Sequence, residues 1–326
     1  MQKIYRDENA DIKYIKDKKI LVIGYGSQGR AFALNLRDSA IEVHICLKPE
    51  SLSANAARAE GLKVISPDNI DDSYDILLFM IPDHIQGDFC DKYVKNNLKE
   101  NSCLVFAHGY SIHFGLVGPL SRADIILVAP HGPGDDLREN FIRGSGISCY
   151  VAAEQDHSGN ALNIALALAK AIGSTRIGAF ETTFEHETLG DIFGEQALLC
   201  GGLAELVTES YETLVKNGIP KENAYIETAH QIDLLASLLK KHGIHGMAER
   251  ISMTAQYGML KMQGKIIDPD AEKRLNQLFG KIKSGEFARD WQHEYRIDFR
   301  NLKEFKQKLK DHSIEKTAEK IKKIIE

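Results

Sequence analysis

The sequence predicts an α/β fold in its first half, a Rossmann-like, doubly wound sheet, followed by an all-helical second domain. Three observations predict it. Short apolar runs alternate with helix-length segments from Lys19 to Val151, as in parallel strands joined by helical crossovers. The first run leads straight into Gly24-Tyr25-Gly26-Ser27-Gln28-Gly29, a GxGxxG between strand and helix. Past about Thr182 the strand runs stop, and Phe193–Asn217, Glu222–His242 and Ala271–Ser284 carry helical spacing.

In order, Lys19–Ile23 reads as a buried strand and Gln28–Arg37 as the helix after it. Ile41–Leu47 is the second strand. Leu62–Val64, Ile76–Met80, Cys103–Phe106, Ile125–Val128 and Ser148–Val151 are the later ones. The change of character lies near Ala179–Thr183, giving a dinucleotide-binding domain over 1–181 and a helical domain over 182–326. The tail, Lys303–Glu326, reads as one Lys/Glu-rich amphipathic helix, solvated or at an interface.

Bulk properties narrow the function classes. The 326 residues suffice for two domains. A formal charge of -5 argues against general nucleic-acid affinity. No apolar run is long enough to span a bilayer, and Met1–Asp11 lacks the apolar core of a signal peptide, so a cytoplasmic location is expected. The five cysteines are scattered without CxxC spacing and read as reduced thiols, with Cys200 expected as a small buried hydrophobe.

In the glycine loop, Gly24 permits the tight turn, Gly26 lets the backbone approach a pyrophosphate, and Gly29 lets helix and strand pack closely. The helix N-terminus faces the phosphates, with Tyr25, Ser27 and Gln28 completing the loop. At the end of the second strand an NAD enzyme usually places Asp or Glu. Here the chain has Leu47-Lys48-Pro49-Glu50-Ser51-Leu52-Ser53. Lys48 can neutralise a 2′-phosphate, and Ser51 and Ser53 can donate to it, which favours NADPH. Glu50 pulls toward NADH, and helix capping competes for the serines.

Asp191 and Glu195 stand four apart on a predicted helix, so both carboxylates share a face and can hold a hard cation. A solvated acidic face is the alternative. His108 follows a strand at its carboxyl end, where ligands bind in a doubly wound sheet. It could relay a proton or orient substrate, or be a satisfied structural histidine.

Further motifs then accumulate: Ile81-Pro82-Asp83, Phe106–His113, Ala129-Pro130-His131-Gly132-Pro133-Gly134, Asp191–Gln196, Leu199–Gly202 and Ile251–Gly258. In this order, from about Lys18 to Trp291, the chain resembles the short (class I) form of ketol-acid reductoisomerase. The resemblance implies a knotted helical domain that pairs with its copy to complete the active site. It also implies NADPH, two magnesium ions, and conversion of acetohydroxy acids such as 2-acetolactate to dihydroxy acids by alkyl migration and reduction. Gly134 then belongs with the cofactor, Asp191, Glu195 and Glu227 match metal ligands, Glu195 also carries catalysis, and Ser252 matches a substrate-carboxylate position.

Departures from the family pattern are concentrated at the same positions. Gln231 stands where a second glutamate is expected, which leaves one magnesium site and weakens the other. His131 replaces a lysine between Ala-Pro and Gly-Pro-Gly, in a catalytic position. His84, His186 and Leu189-Gly190 replace acidic or polar residues, and Arg250 and Gln256 replace a serine and a glutamate. Arg250 either grips a substrate carboxylate or is a surface arginine. Two other functions therefore stand beside the reductoisomerase: a plain reductase or dehydrogenase on another 2-keto or 2-hydroxy acid, and a non-catalytic nucleotide sensor.

Overall fold

The computed structural model describes residues 2–325. Among them the first unit is built on a nine-stranded sheet. Its strands are β1 (Ile4–Tyr5), β2 (Ile20–Ile23), β3 (Val43–Cys46), β4 (Lys63–Ile65), β5 (Ile76–Phe79), β6 (Ser102–Phe106), β7 (Ala123–Pro130), β8 (Cys149–Gln155) and β9 (Ala179–Glu181). The order is β1-β9-β8-β7-β6-β5-β2-β3-β4. Strands β2 to β7 pair in parallel, and β8 turns back antiparallel to β7.

The sheet is covered on both faces, as its unbroken apolar runs require. Ile20 and Val22 join one buried cluster with Phe32, Leu36 and Leu168. Leu21 and Ile23, pointing the other way, join Leu77, Phe79, Phe106 and Phe184. Because β3 and β4 lie on one side of β2 and β5 to β7 on the other, the winding reverses between β2 and β5. Ligands bind at the carboxyl ends of strands flanking such a reversal.

By its contacts the chain divides after Gly190, so the helix Phe184–Gly194 carries it from the sheet unit into the helical unit. The first turns of that helix belong to the sheet unit because Phe184, Glu187 and Thr188 are buried there.

Helices read as continuous in the sequence are broken at defined places. Five-residue π turns occupy Glu195–Leu199 and Ile226–His230. The helix Ile232–Ala248 kinks at Gly243, whose φ is +68°, just past the end of the stretch Glu222–His242 read as helical. The tail is two helices, Arg300–Asp311 and Ser313–Ile325, separated by an extended His312. The last one is packed, not solvated: Ile314, Thr317 and Ile321 are buried, and Ile314 packs with Tyr211 and Ala224. Cys200 is exposed, contrary to expectation, because it starts the helix Gly201–Lys216 beside the exposed Leu198 and Leu199. The other four cysteines are buried, and all five are free thiols.

Candidate functional site

The glycine loop closes β2 at the winding reversal. Gly24 has φ +103°, and a Cβ there would lie 2.7 Å from the Met80 carbonyl oxygen just past β5. A Cβ on Gly29 would lie 2.5 Å from the Gly24 carbonyl oxygen. Both glycines are therefore demanded by the protein's own packing. Gly26 is not. It N-caps the helix Ser27–Asp38 with φ -76°, and a Cβ there would meet nothing within 4 Å. Open space above a helix N-terminus, kept clear by a glycine the fold does not need, fits an approaching pyrophosphate.

The rest of the loop is braced from within the unit. Tyr25 is buried and its hydroxyl donates to Glu60 Oε2 at 2.6 Å, while Arg30 Nε donates to Glu60 Oε1 at 3.0 Å. Burial first, then the Glu60 carboxylate, pushes the tyrosine pKa up. Its ring is thus committed to the scaffold. Gln28 Nε2 donates to the Gly132 carbonyl at 2.7 Å. A Cβ on Gly134 would lie 2.2 Å from the Ser27 carbonyl oxygen. Gly134 accordingly serves the close seat of the Pro130–Gly134 turn against the loop.

At the end of β3, Lys48 is exposed and Ser53 half-buried. Ser51 caps the helix Leu52–Ala59, its Oγ accepting from the Ala54 N–H at 3.2 Å. Arg58 Nη1 donates to the Pro49 carbonyl at 3.0 Å and ties the loop down.

His108 lies just beyond β6. Its Nδ1 is 2.9 Å from Glu187 Oε1, and the Gly109 N–H donates to Glu187 Oε2 at 2.7 Å. His131, after β7, has Nδ1 2.9 Å from Ser148 Oγ. Its ring meets Tyr150 edge-on at 4.3 Å and lies 6.0 Å from Phe180. One edge of His131 is exposed, but these rings desolvate the imidazole and lower its pKa, with the Glu187 charge pulling the other way.

In the helical unit, Asp191 and Glu195 lie on successive turns where the helix passes into its π segment. Glu227 lies in the second π segment, and Gln231 Nε2 donates to Glu227 Oε2 at 3.2 Å. Single extra-residue turns of this kind often mark functional sites. Among the described residues no three His, Cys, Asp or Glu side chains converge as a metal cluster. Ser252 N-caps the helix Met253–Met262, its Oγ accepting from the Ala255 N–H. Arg250 is exposed and donates to the Gly246 carbonyl at 2.8 Å, within its own helix end.

A dinucleotide loop at the winding reversal of a doubly wound sheet, joined to a helical unit, is an architecture of NAD(P)-dependent oxidoreductases. A solved semialdehyde dehydrogenase NAD-binding protein from Cupriavidus necator shares the fold at a TM-score of 0.65 and 18% identity, over 84% of this chain and 99% of that one. The chain belongs to the ketol-acid reductoisomerase family. The family model for the acetohydroxy acid isomeroreductase NADPH-binding domain matches residues 14–178, and that for the ketol-acid reductoisomerase C-terminal domain matches 184–326. It is 40% identical to ketol-acid reductoisomerase (NADP(+)) of Methanocaldococcus jannaschii, over 99% of this chain and 98% of that one. It is 42% identical to that of Pyrobaculum aerophilum, over 100% and 99%. A solved NADH-preferring ketol-acid reductoisomerase from an uncultured archean aligns at a TM-score of 0.94 with 37% identity, covering 98% of each chain.

Proposed function

We propose that this chain converts acetohydroxy acids, with 2-acetolactate as the model substrate, to dihydroxy acids by magnesium-assisted alkyl migration and NADPH-dependent reduction. The observation that carries this reading is a match through both units to relatives named for that activity. The open space at Gly26 supports dinucleotide binding at the loop. Lys48 is the candidate partner of a 2′-phosphate. Ser51 accepts the Ala54 N–H as a helix cap and keeps its O–H for donation, so Lys48, Ser51 and Ser53 are the residues that discriminate NADPH from NADH. Comparing kcat/KM for the two cofactors tests this directly.

Asp191, Glu195 and Glu227 are hard oxygen donors of the kind magnesium takes. Magnesium, when bound, polarises the substrate carbonyl. Gln231, which donates to Glu227 here, offers magnesium a neutral amide oxygen without the charge of a carboxylate, which favours one strong site over two. Gln231→Glu should raise magnesium affinity or stoichiometry in calorimetric titration; no change would remove Gln231 from the site. His108, His131, Ser252 and Arg250 are the candidates for proton handling and substrate binding. The helical unit leaves Leu234, Met253, Tyr257, Leu260, Ile266 and Ile267 exposed, which supports pairing with a second copy.

The test is NADPH oxidation by purified protein with 2-acetolactate and magnesium, and turnover is expected. Reduction of preformed 3-hydroxy-3-methyl-2-oxobutanoate without turnover of 2-acetolactate would replace the reading with a plain reductase.

A further inference from the structure

The sequence singles out Glu187 for nothing, yet it is one of the few buried acids of the sheet unit, 5% exposed. It sits in the first turns of the helix Phe184–Gly194 and reaches the turn that follows β6. Phe184 anchors that helix by packing edge-on against Phe106, the last residue of β6, at 6.5 Å between ring centroids. Gly109 makes the close approach possible. A Cβ there would lie 2.4 Å from Thr188 Oγ1, 2.8 Å from Glu187 Oε2 and 2.9 Å from the Phe184 carbonyl oxygen.

Both carboxylate oxygens are engaged. Oε1 lies 2.9 Å from His108 Nδ1, and Oε2 accepts the Gly109 N–H at 2.7 Å and lies 3.5 Å from Thr188 Oγ1. A backbone N–H can only donate, and an ionised carboxylate can only accept. In the neutral form of His108, Nδ1 is then the protonated nitrogen, and Nε2 carries the lone pair.

We propose that Glu187 is a positioning residue that fixes the tautomer and ring orientation of His108, so that Nε2 is its basic nitrogen. The assignment deepens the reductoisomerase reading, on which the catalytic consequence rests; the tautomer itself does not depend on it. The arrangement makes a pointed prediction for Glu187→Gln. The Gly109 N–H still demands an oxygen, so the amide oxygen stays on that side and the amide NH2 faces His108. Nδ1 must then accept, and the proton moves to Nε2.

Histidine-selective 15N NMR on the full chain, at a pH above the imidazole titration, reads this without any substrate. The His108 signals are identified by their loss in His108→Asn. Wild type should show a protonated Nδ1, Glu187→Gln a protonated Nε2, and Glu187→Asp, which keeps two accepting oxygens, a return toward wild type. In turnover, Glu187→Gln should lower kcat about 10²–10⁴-fold, the range for loss of a positioned acid or base, with the NADPH KM within about threefold of wild type. Glu187→Asp should recover part of it. A protonated Nε2 in wild type overturns the proposal, and needs only the assignment by His108→Asn, not a folded Glu187 variant. An unchanged tautomer in a folded Glu187→Gln overturns it as well. If wild type turns over neither acetohydroxy nor keto acid but shows the expected tautomers, the reductoisomerase reading fails and the positioning role stands.

Discussion

Gly26 and Gly29 are three residues apart and ask opposite questions of an added methyl group. Gly29→Ala puts a Cβ 2.5 Å from a backbone oxygen that cannot move without reshaping the loop. It should cost roughly 1–3 kcal/mol, as overpacking does, and lower the melting temperature with or without cofactor. Gly26→Ala meets no atom and loses only the N-cap preference for glycine, at most about 1 kcal/mol. Its effect should fall on NADPH affinity, at least tenfold by fluorescence titration. Equal affinity in Gly26→Ala and wild type would move the pyrophosphate elsewhere. Histidines set the acid limb of stability. Burial holds His44, His84 and His131 below the ordinary histidine pKa. The unfolded chain then binds the extra protons, so stability is lost as pH falls below the unfolded value of about 6.5. Glu60, held low first by its hydrogen bond from Arg30, gives stability that is lost only as pH falls below about 4. Thermal melts between pH 7.5 and 5 should therefore decline. His44→Gln, which removes a buried titrating ring hydrogen-bonded to Tyr74, should flatten that decline.

At the scale of elements, the C-terminal helix Ser313–Ile325 is a brace for the segment that leads into Glu227. Ile314 packs with Tyr211 and Ala224, Tyr211 Oη lies 3.1 Å from Thr317 Oγ1, and Lys320 pairs with Glu222. Ala224 and Glu222 lie in the helix Lys221–Tyr225, which runs directly into the π turn carrying Glu227. Ile321→Ala should cost about 2–5 kcal/mol. Trp291, the single tryptophan, lies in the helical unit and reports its unfolding in a urea titration. An unchanged midpoint would show that the helix does not brace the unit. This packing was hidden in the sequence because a Lys/Glu-rich amphipathic pattern does not say what its narrow apolar face meets. Strands β2, β3, β5, β6 and β7 were legible, since each is a buried apolar run followed by a helix-length segment. The edge strand β1 and its neighbour β9 were not: two and three residues carry no period, and only their pairing, β1 with β9 and β9 with β8, makes them strands. At the site, the glycine loop was legible because its geometry is local. Glu187 was not, because its partner His108 is 79 residues away and no spacing rule links them.

For the whole molecule, the two units bury their apolar residues to different degrees. Both faces of the sheet carry large buried clusters. In the helical unit the buried cluster around Tyr211 is small, while the helix Met253–Met262 and the segment after it expose Met253 at 85%, Leu260 at 65% and Ile267 at 64%. Soluble monomers rarely leave large apolar area uncovered, and under the proposed pairing a second copy of the chain would supply a matching surface through a twofold contact. If pairing covers these residues, the stability of the helical unit is linked to chain concentration, because association draws the folded state on by mass action. Urea midpoints read at Trp291 should rise with protein concentration, and light scattering should give twice the mass of the 326-residue chain. Leu260→Asp places a charge in that surface and should lower the assembled mass or send the protein out of solution. It should leave NADPH binding by the sheet unit intact, since the glycine loop is built from residues of that unit alone. A monomer with a concentration-independent midpoint would mean that the exposed apolar helices are stable as they stand.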